Sequence, residues 1–324
     1  MSSEVLPVTF CNKAGNRLFG MLHLPDKPHA SGTGIILLSP GVKMRVAPHR
    51  LYINMTQRFV ELGYPVLRFD FYGLGDSEGE AQEEYLADLY GAIQVGRYID
   101  DTIVAMDWLQ RAHGLSQFIV SGLCGGAITG LLTAAQDSRI VGLLGLSIPV
   151  ILDGSKIDFG KYMTDAQLRV MRDSYLSKMM KLQSWRSWIR FLAFQSDYRA
   201  IFRSIVKPLI VSLRRTKEPI ASSPQVVEKD NTNPYFAQAF QRMIATSRPI
   251  LLIFAEMDRL YWEFQKKFEE RHRGDLALYR GSYEVHLVKQ ANHILSFQEW
   301  EAEMLDQSCH WLKRVSLKDA RVGY

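Results

Sequence analysis

Apolar residues recur along the chain in short continuous runs separated by amphipathic stretches, the pattern of strands buried on both faces that alternate with surface helices. The runs GIILLS at 34–39, VGLLGLSI at 141–148 and ILLIFA at 250–255 carry no polar alternation, so they are expected in the middle of a sheet. Further strands are predicted at 5–11, 17–23, 65–70, 117–121 and 283–288. Helical spacing predicts helices over 48–62, with a proline at the first position, and over 100–112, 126–136, 259–272 and 297–315. Strands alternating with helices define an α/β architecture, a mostly parallel central sheet with helices on both faces.

The alternation stops between about 152 and 219, where a helical, aromatic and Met-containing stretch includes SKMMKLQSWRSWIRFLAF. Lying between two core strands, it reads as an inserted helical lid, and the Pro-, Ser- and Asn-rich EPIASSPQVVEKDNTNP as the linker back. The core is then 1–151 and 220–324, with the lid at 152–219. Charge sharpens this division. Residues 156–217 hold 14 Lys/Arg against 4 Asp/Glu, a balance of +10 in a chain of +5, so the remainder is about −5. Such a segment either attracts an anionic partner or is the solvated face of amphipathic helices.

Composition excludes several classes. Three widely spaced cysteines, Cys11, Cys124 and Cys309, give neither a disulfide framework nor a zinc site. No segment approaches the roughly 18 apolar residues of a membrane span, and MSSEVLPVTF lacks the basic start and apolar stretch of a secretory leader. A reducing, cytoplasmic setting is expected, which keeps a reactive thiol reduced. No nucleic-acid recognition motif accompanies the basic segment, so a nucleic-acid partner is not expected.

The chemistry-bearing signal is Ser121-Gly122-Leu123-Cys124-Gly125-Gly126-Ala127, between the strand QFIVS and the helix AITGLLTAAQ. Gly-x-nucleophile-x-Gly in a strand–turn–helix context is a nucleophile elbow, here with cysteine where serine is usual. The start of a helix favours the thiolate; the plain alternative is a buried cysteine beside a glycine turn. The partners follow in the order acid, then histidine: Asp258 after ILLIFA, with Glu256 as the second choice, and His293 after YEVHLV. Asp258 would orient His293, which would take the thiol proton and later deliver it to the leaving group. Asp258 also reads as a helix N-cap, a compatible role. Oxyanion donors are expected from the backbone amide of Gly125 and, in Pro40-Gly41-Val42, from Val42 with Gly41 as the alternative. The glycines of Phe69-Asp70-Phe71-Tyr72-Gly73-Leu74-Gly75-Asp76-Ser77-Glu78-Gly79 form no phosphate loop and read as a structural turn. Tyr261 and Trp262 line a substrate cavity or pack in the core, His286 reads as structural, and His49 and Arg50 receive no assigned role.

With these residues the sequence resembles the α/β-hydrolase superfamily, in its serine-aminopeptidase-like branch, over nearly all of the chain outside the lid. PGVKMRVAPHRLYINMTQRFVELGYPVLRFDFYGLGDSEGE and GLCGGA are similar to hydrolases associated with bacterial exosortase systems. The resemblance implies the triad Cys124, Asp258 and His293. The chain departs from it in Pro40, where the His-Gly loop has histidine, and in its cysteine nucleophile. Cysteine nucleophiles occur on this fold in dienelactone hydrolases, bile-acid acyltransferases and some thioesterases and cyclases. A thiolate attacks a thioester with little change in bond energy, and acyl-cysteine stays activated. The expected activity is therefore cysteine-dependent hydrolysis or transfer of an acyl thioester, with a small-molecule acyl substrate that is free, CoA-bound or carrier-bound. A carboxylester or lactone hydrolase and an inactive binding protein are the alternatives. No metal or organic cofactor is called for.

Overall fold

In the computed structural model the described residues are 4–28, 32–81, 83, 85–152, 230–279 and 281–322. The lid expected at 152–219 lies outside them apart from Leu152, as does the basic stretch.

Among the described residues eight strands form one sheet: β1 (Glu4–Cys11), β2 (Arg17–Leu24), β3 (Thr33–Leu38), β4 (Val66–Phe69), β5 (Gln117–Leu123), β6 (Ile140–Leu146), β7 (Ile250–Ala255) and β8 (Tyr283–Val288), in the order β1-β2-β4-β3-β5-β6-β7-β8. Only the β1–β2 and β2–β4 pairs are antiparallel. All the predicted strands are present, their ends moved by at most two residues. The unalternating apolar runs are explained by burial on both faces. Ile36, Leu38, Val120, Leu252 and Phe254 enter one core, while Ile35, Leu37, Ile119, Leu251 and Ile253 enter the other.

The second core is covered by α1 (Leu51–Glu61) and α8 (Gln298–Val322), through Tyr52, Met55 and Phe59 on one and Met304, Trp311 and Leu312 on the other. The first is covered by α2 (Leu86–Gln94), α3 (Ile99–His113), α4 (Gly125–Ala134) and α5 (Pro234–Ala245), with α6 (Arg259–Glu263) and α7 (Arg273–Ala277) beyond. This is the expected three-layer α/β arrangement.

The helices depart from expectation in particular places. The helix predicted at 48–62 starts at Leu51, because His49 (φ 53°) and Arg50 (φ 62°) adopt left-handed backbone that a helix cannot continue through. The helix predicted at 259–272 is broken: after α6 the backbone widens into a π-helical stretch, Phe264–Glu269, which buries Phe264 and Phe268, and α7 follows separately. Helices α2 and α5 were not anticipated. Residues 151 and 232 form an antiparallel bridge, supported by Leu152 N to Asn231 O (3.0 Å) and Asn233 N to Val150 O (2.8 Å), so the chain leaves and rejoins the sheet at adjacent points. No helix among the described residues is long and apolar enough to cross a membrane.

Candidate active site

One residue separates β5 from α4, and it is Cys124, with φ 53° and ψ −111°. Non-glycine residues occupy such backbone only where the surroundings impose it, at a cost of roughly 1–3 kcal/mol. Here the surroundings are visible. The Cys124 amide donates to Leu146 O (2.8 Å), and the Leu123 amide donates to the Tyr52 hydroxyl (2.7 Å), which in turn donates to Leu38 O (2.8 Å). Tyr52 is fully buried, and burial holds its hydroxyl protonated well above the ordinary phenol range. It thus ties the ends of β3 and β5 beneath the elbow. A Cβ on Gly122 would fall 2.4 Å from the carbonyl carbon of Gly126, so strand and helix approach too closely for any side chain there. Cys124 itself is half-buried and packs against both cores.

Asp258 follows β7 and caps α6, its Oδ1 accepting from Leu260 N (3.2 Å). Its Oδ2 lies 2.6 Å from His293 Nδ1, and the buried Ser147 lies near enough to help stabilise the charged carboxylate. Capping and orienting are therefore simultaneous roles. Glu256, the alternative acid, accepts from Gln290 N (2.8 Å) and shapes the histidine loop instead. That loop is further held by Met257 N to Ala291 O (3.0 Å) and by Asn292 Nδ2 to Ser296 Oγ (2.7 Å). His293 hydrogen-bonds Asp258, and Cys124 lies close enough to act on the charge of its ring, so the structure brings all three predicted residues together.

The electrostatics follow from these contacts. Burial disfavours the charged form of His293, but the hydrogen bond to Asp258, its charge and the nearby Cys124 outweigh it and raise its pKa to about 10. Burial likewise pushes the Asp258 carboxyl up, and the hydrogen bond and charge of His293, with the Leu260 amide and Ser147 hydroxyl, leave it below its ordinary value. Removing the thiol removes two of the influences that raise the histidine. In Cys124→Ala the His293 ring is expected to titrate well below the wild-type value of about 10, as read by NMR of its ring protons. An unchanged titration would mean that no thiolate faces the ring.

Pro40-Gly41-Val42 follows β3 and turns through Lys43 N to Pro40 O (3.1 Å). Gly41 has φ 60°, and a Cβ on Gly125 would fall 2.5 Å from the Gly41 Cα, so the loop and the start of α4 touch backbone to backbone. Neither the Val42 nor the Gly125 amide donates to a backbone acceptor among the described residues. The latter is one of the unpaired donors at a helix N-terminus, where an anion is favoured. His49 and Arg50 are exposed beside this loop. His286 on β8 pairs with Glu303 (2.7 Å) on α8. The Tyr261 ring packs on Phe254, whereas Trp262 opens onto a cavity of about 600 Å³ with Glu269 and Tyr283, to which no triad residue contributes.

Tyr52 and Ser147 are the site residues that sequence reasoning missed. Tyr52 was marked only by its place on the apolar face of α1; Ser147, with φ 44° just beyond β6, carried no local signal.

The model of the α/β-hydrolase fold family matches residues 45–310, most of the chain and all three triad positions. The chain belongs to the α/β-hydrolase fold family. Among curated proteins it is similar to YtaP of Bacillus subtilis (strain 168), named as a hydrolase, at 31% identity over 91 residues; the match spans 27% of this chain and only 30% of that protein. Among solved structures it is similar to the Pyrococcus furiosus esterase Pf2001, with TM-score 0.56 and 18% identity, covering 96% of this chain and 93% of that one. It is also similar to the α/β hydrolase GrgF of Penicillium sp. sh18, with TM-score 0.55 and 16% identity over 97% and 99% of the two chains. At these identities the structural likenesses speak for the fold alone. On this α/β-hydrolase sheet Cys124 follows β5, Asp258 follows β7 and His293 follows β8, the chain order expected for a candidate nucleophile, acid and histidine.

Proposed function

We propose that this α/β hydrolase is a cysteine-dependent acyl hydrolase or acyltransferase that acts on an acyl thioester, CoA- or carrier-bound, through an acyl-Cys124 intermediate. The observation that carries the reading is the hydrogen-bonded Asp258–His293 pair set beside a cysteine held in a strained elbow. In the first half-reaction the Cys124 thiolate attacks the acyl carbon, and the Val42 and Gly125 amides receive the charge developing on oxygen. The C–S bond to the leaving thiolate breaks, and His293 delivers the proton to it. In the second, His293 takes a proton from water or from an acceptor nucleophile, which attacks the acyl-cysteine and releases Cys124. The +10 balance of residues 156–217 suits an anionic carrier or CoA. The GLCGGA elbow and the 40–80 stretch favour a place near the exosortase-associated hydrolases.

A second reading is a carboxylester or lactone hydrolase, because the same triad geometry serves oxygen esters as well as thioesters. Intact-protein mass spectrometry after brief exposure to a panel of acyl-CoA thioesters and activated oxygen esters tests both. An acyl adduct is expected on the wild type and not on Cys124→Ala. Turnover of matched esters then separates the readings, since higher kcat/KM for the thioester is expected from the first and the reverse from the second. A wild type that forms neither adduct nor product contradicts both.

A further inference from the structure

The glycine-rich run Phe69 to Gly79 has no part in the triad, yet it holds a fully buried carboxylate, Asp70, whose partners are specific. Its Oδ1 accepts from the Arg45 backbone amide (2.5 Å), and its Oδ2 accepts from the Arg45 guanidinium and from the Asp76 amide (3.1 Å). A second guanidinium nitrogen reaches Asp76 Oδ2 (2.7 Å), and the planar group lies over the Phe19 ring, 4.5 Å from its centroid. Ser77 Oγ donates to Asp70 O (2.6 Å) and accepts from Phe19 N (2.9 Å), closing the turn. A Cβ on Gly75 would lie 2.2 Å from Asp70 Oδ2, so the glycine is what lets the chain wrap this carboxylate. A buried carboxylate that grips both the backbone and the side chain of one arginine is a clamp on the segment carrying that arginine.

That segment is the oxyanion loop, with Arg45 three residues beyond Val42. Its backbone bonds among the described residues are two short turns, Lys43 N to Pro40 O (3.1 Å) and Ala47 N to Met44 O (3.0 Å), and one tie to α1, Tyr52 N to Val46 O (3.2 Å). Val42 lies inside the first turn, and short turns of this kind do not by themselves fix where that turn sits against α4. The loop must nevertheless be fixed closely, because Gly41 meets Gly125 backbone to backbone, and an oxyanion donor acts over a narrow range of about 2.7–3.1 Å.

We infer that Arg45, clamped by Asp70 and Asp76, is a positioning residue that holds the Val42 amide where the substrate oxyanion forms. The inference rests on the proposed roles of Cys124 and Val42, and it gives the Asp70–Gly79 turn a task in catalysis rather than in folding alone.

The test compares two reactions of the same thiol. Acylation by p-nitrophenyl acetate forms a tetrahedral oxyanion. Alkylation by iodoacetamide displaces iodide at carbon and forms none, so it reports the Cys124–His293 pair without the oxyanion loop. The variants are Asp76→Asn, on the exposed side of the clamp, and Arg45→Lys, which keeps a charge beside Asp70 but loses the planar fork that spans both carboxylates. Acylation is expected to slow by about 10-fold in Asp76→Asn and about 100-fold in Arg45→Lys, the scale of a misplaced or lost oxyanion donor, with alkylation and KM close to wild type. Acylation unchanged in both folded variants overturns the inference. Acylation and alkylation falling together also overturn it, because that pattern is general loosening of the elbow. A wild type that alkylates at Cys124 but never acylates removes the proposed function itself, and the inference with it.

Discussion

Replacing Cys124 by alanine is expected to abolish turnover, lowering kcat by about a million-fold, the scale seen when the nucleophile of a triad is deleted. The expectation follows from the division of labour at the site. The amides of Val42 and Gly125 and the His293–Asp258 pair remain, but the bond to the acyl carbon has no atom to make it. Because the triad acts as a unit, the double variant Cys124→Ala/His293→Ala is expected to be no slower than the single one. The fold should be untouched. Alanine has the same Cβ at φ 53°, and the ties that impose this backbone, Cys124 N to Leu146 O and Tyr52 between Leu38 and Leu123, do not involve the thiol. Steady-state and single-turnover assays with an acyl thioester, alongside thermal unfolding, measure both halves of this expectation. Loss of less than about 10-fold in kcat, with the fold intact, would show that another group carries the acyl chain.

The elements that were legible in the sequence are those whose physics is local or periodic. Strands β3, β6 and β7 declared themselves because burial on both faces leaves no polar position to disguise them. The candidate triad could be proposed from the sequence because each member sits just past a strand end, in a turn that composition marks. Helix α5 was missed although Asn233 accepts from Tyr235 N (3.0 Å) as a cap, Pro234 occupies the first position, and Phe236, Phe240, Met243 and Ile244 follow at helical spacing. Its capping residues were read as the tail of a Pro- and Asn-rich linker. The break after Glu263 had no sequence signal, since Phe264 and Phe268 fit an uninterrupted helix as well as the π-helical turn that buries them. Ser147, Tyr52 and the Arg45–Asp70 clamp depend on residues brought together from separate elements, and one sequence does not announce such pairs. The glycines of the 69–79 turn were visible, but the carboxylate they wrap was not.

Asp258→Asn is expected to lower kcat by about 10,000-fold, with little loss of stability. The isosteric amide still caps α6, because its oxygen can accept from Leu260 N as Oδ1 of the aspartate does. Asp258→Ala, by contrast, would lose that cap, at about 1 kcal/mol. What asparagine cannot reproduce is the charge. Burial lowers the His293 pKa, and in the wild type the hydrogen bond and charge of Asp258 and the nearby Cys124 reverse this to about 10. Without the carboxylate the burial effect is less opposed, so the imidazolium is lost at lower pH and the alkaline limit of turnover, which needs that proton for the leaving group, should move down. An amide that turns its NH2 toward Nδ1 also forces the ring proton onto Nε2, where it faces the thiol and can take nothing from it, the loss of the working tautomer that costs a triad about this much. Glu256→Gln is the matched control, since the amide oxygen can still accept from Gln290 N (2.8 Å) and no contact with His293 is lost. It is expected to leave kcat within about twofold, as surface changes away from the acting groups do. Iodoacetamide then distinguishes the two kinds of lesion. In Asp258→Asn alkylation and turnover should fall together, because both need the histidine to hold the thiolate, whereas the Arg45 and Asp76 variants should lose acylation alone. An Asp258→Asn protein that alkylates at the wild-type rate would show that the thiolate does not depend on His293, and that the line from carboxylate to thiol is a packing arrangement rather than a working triad.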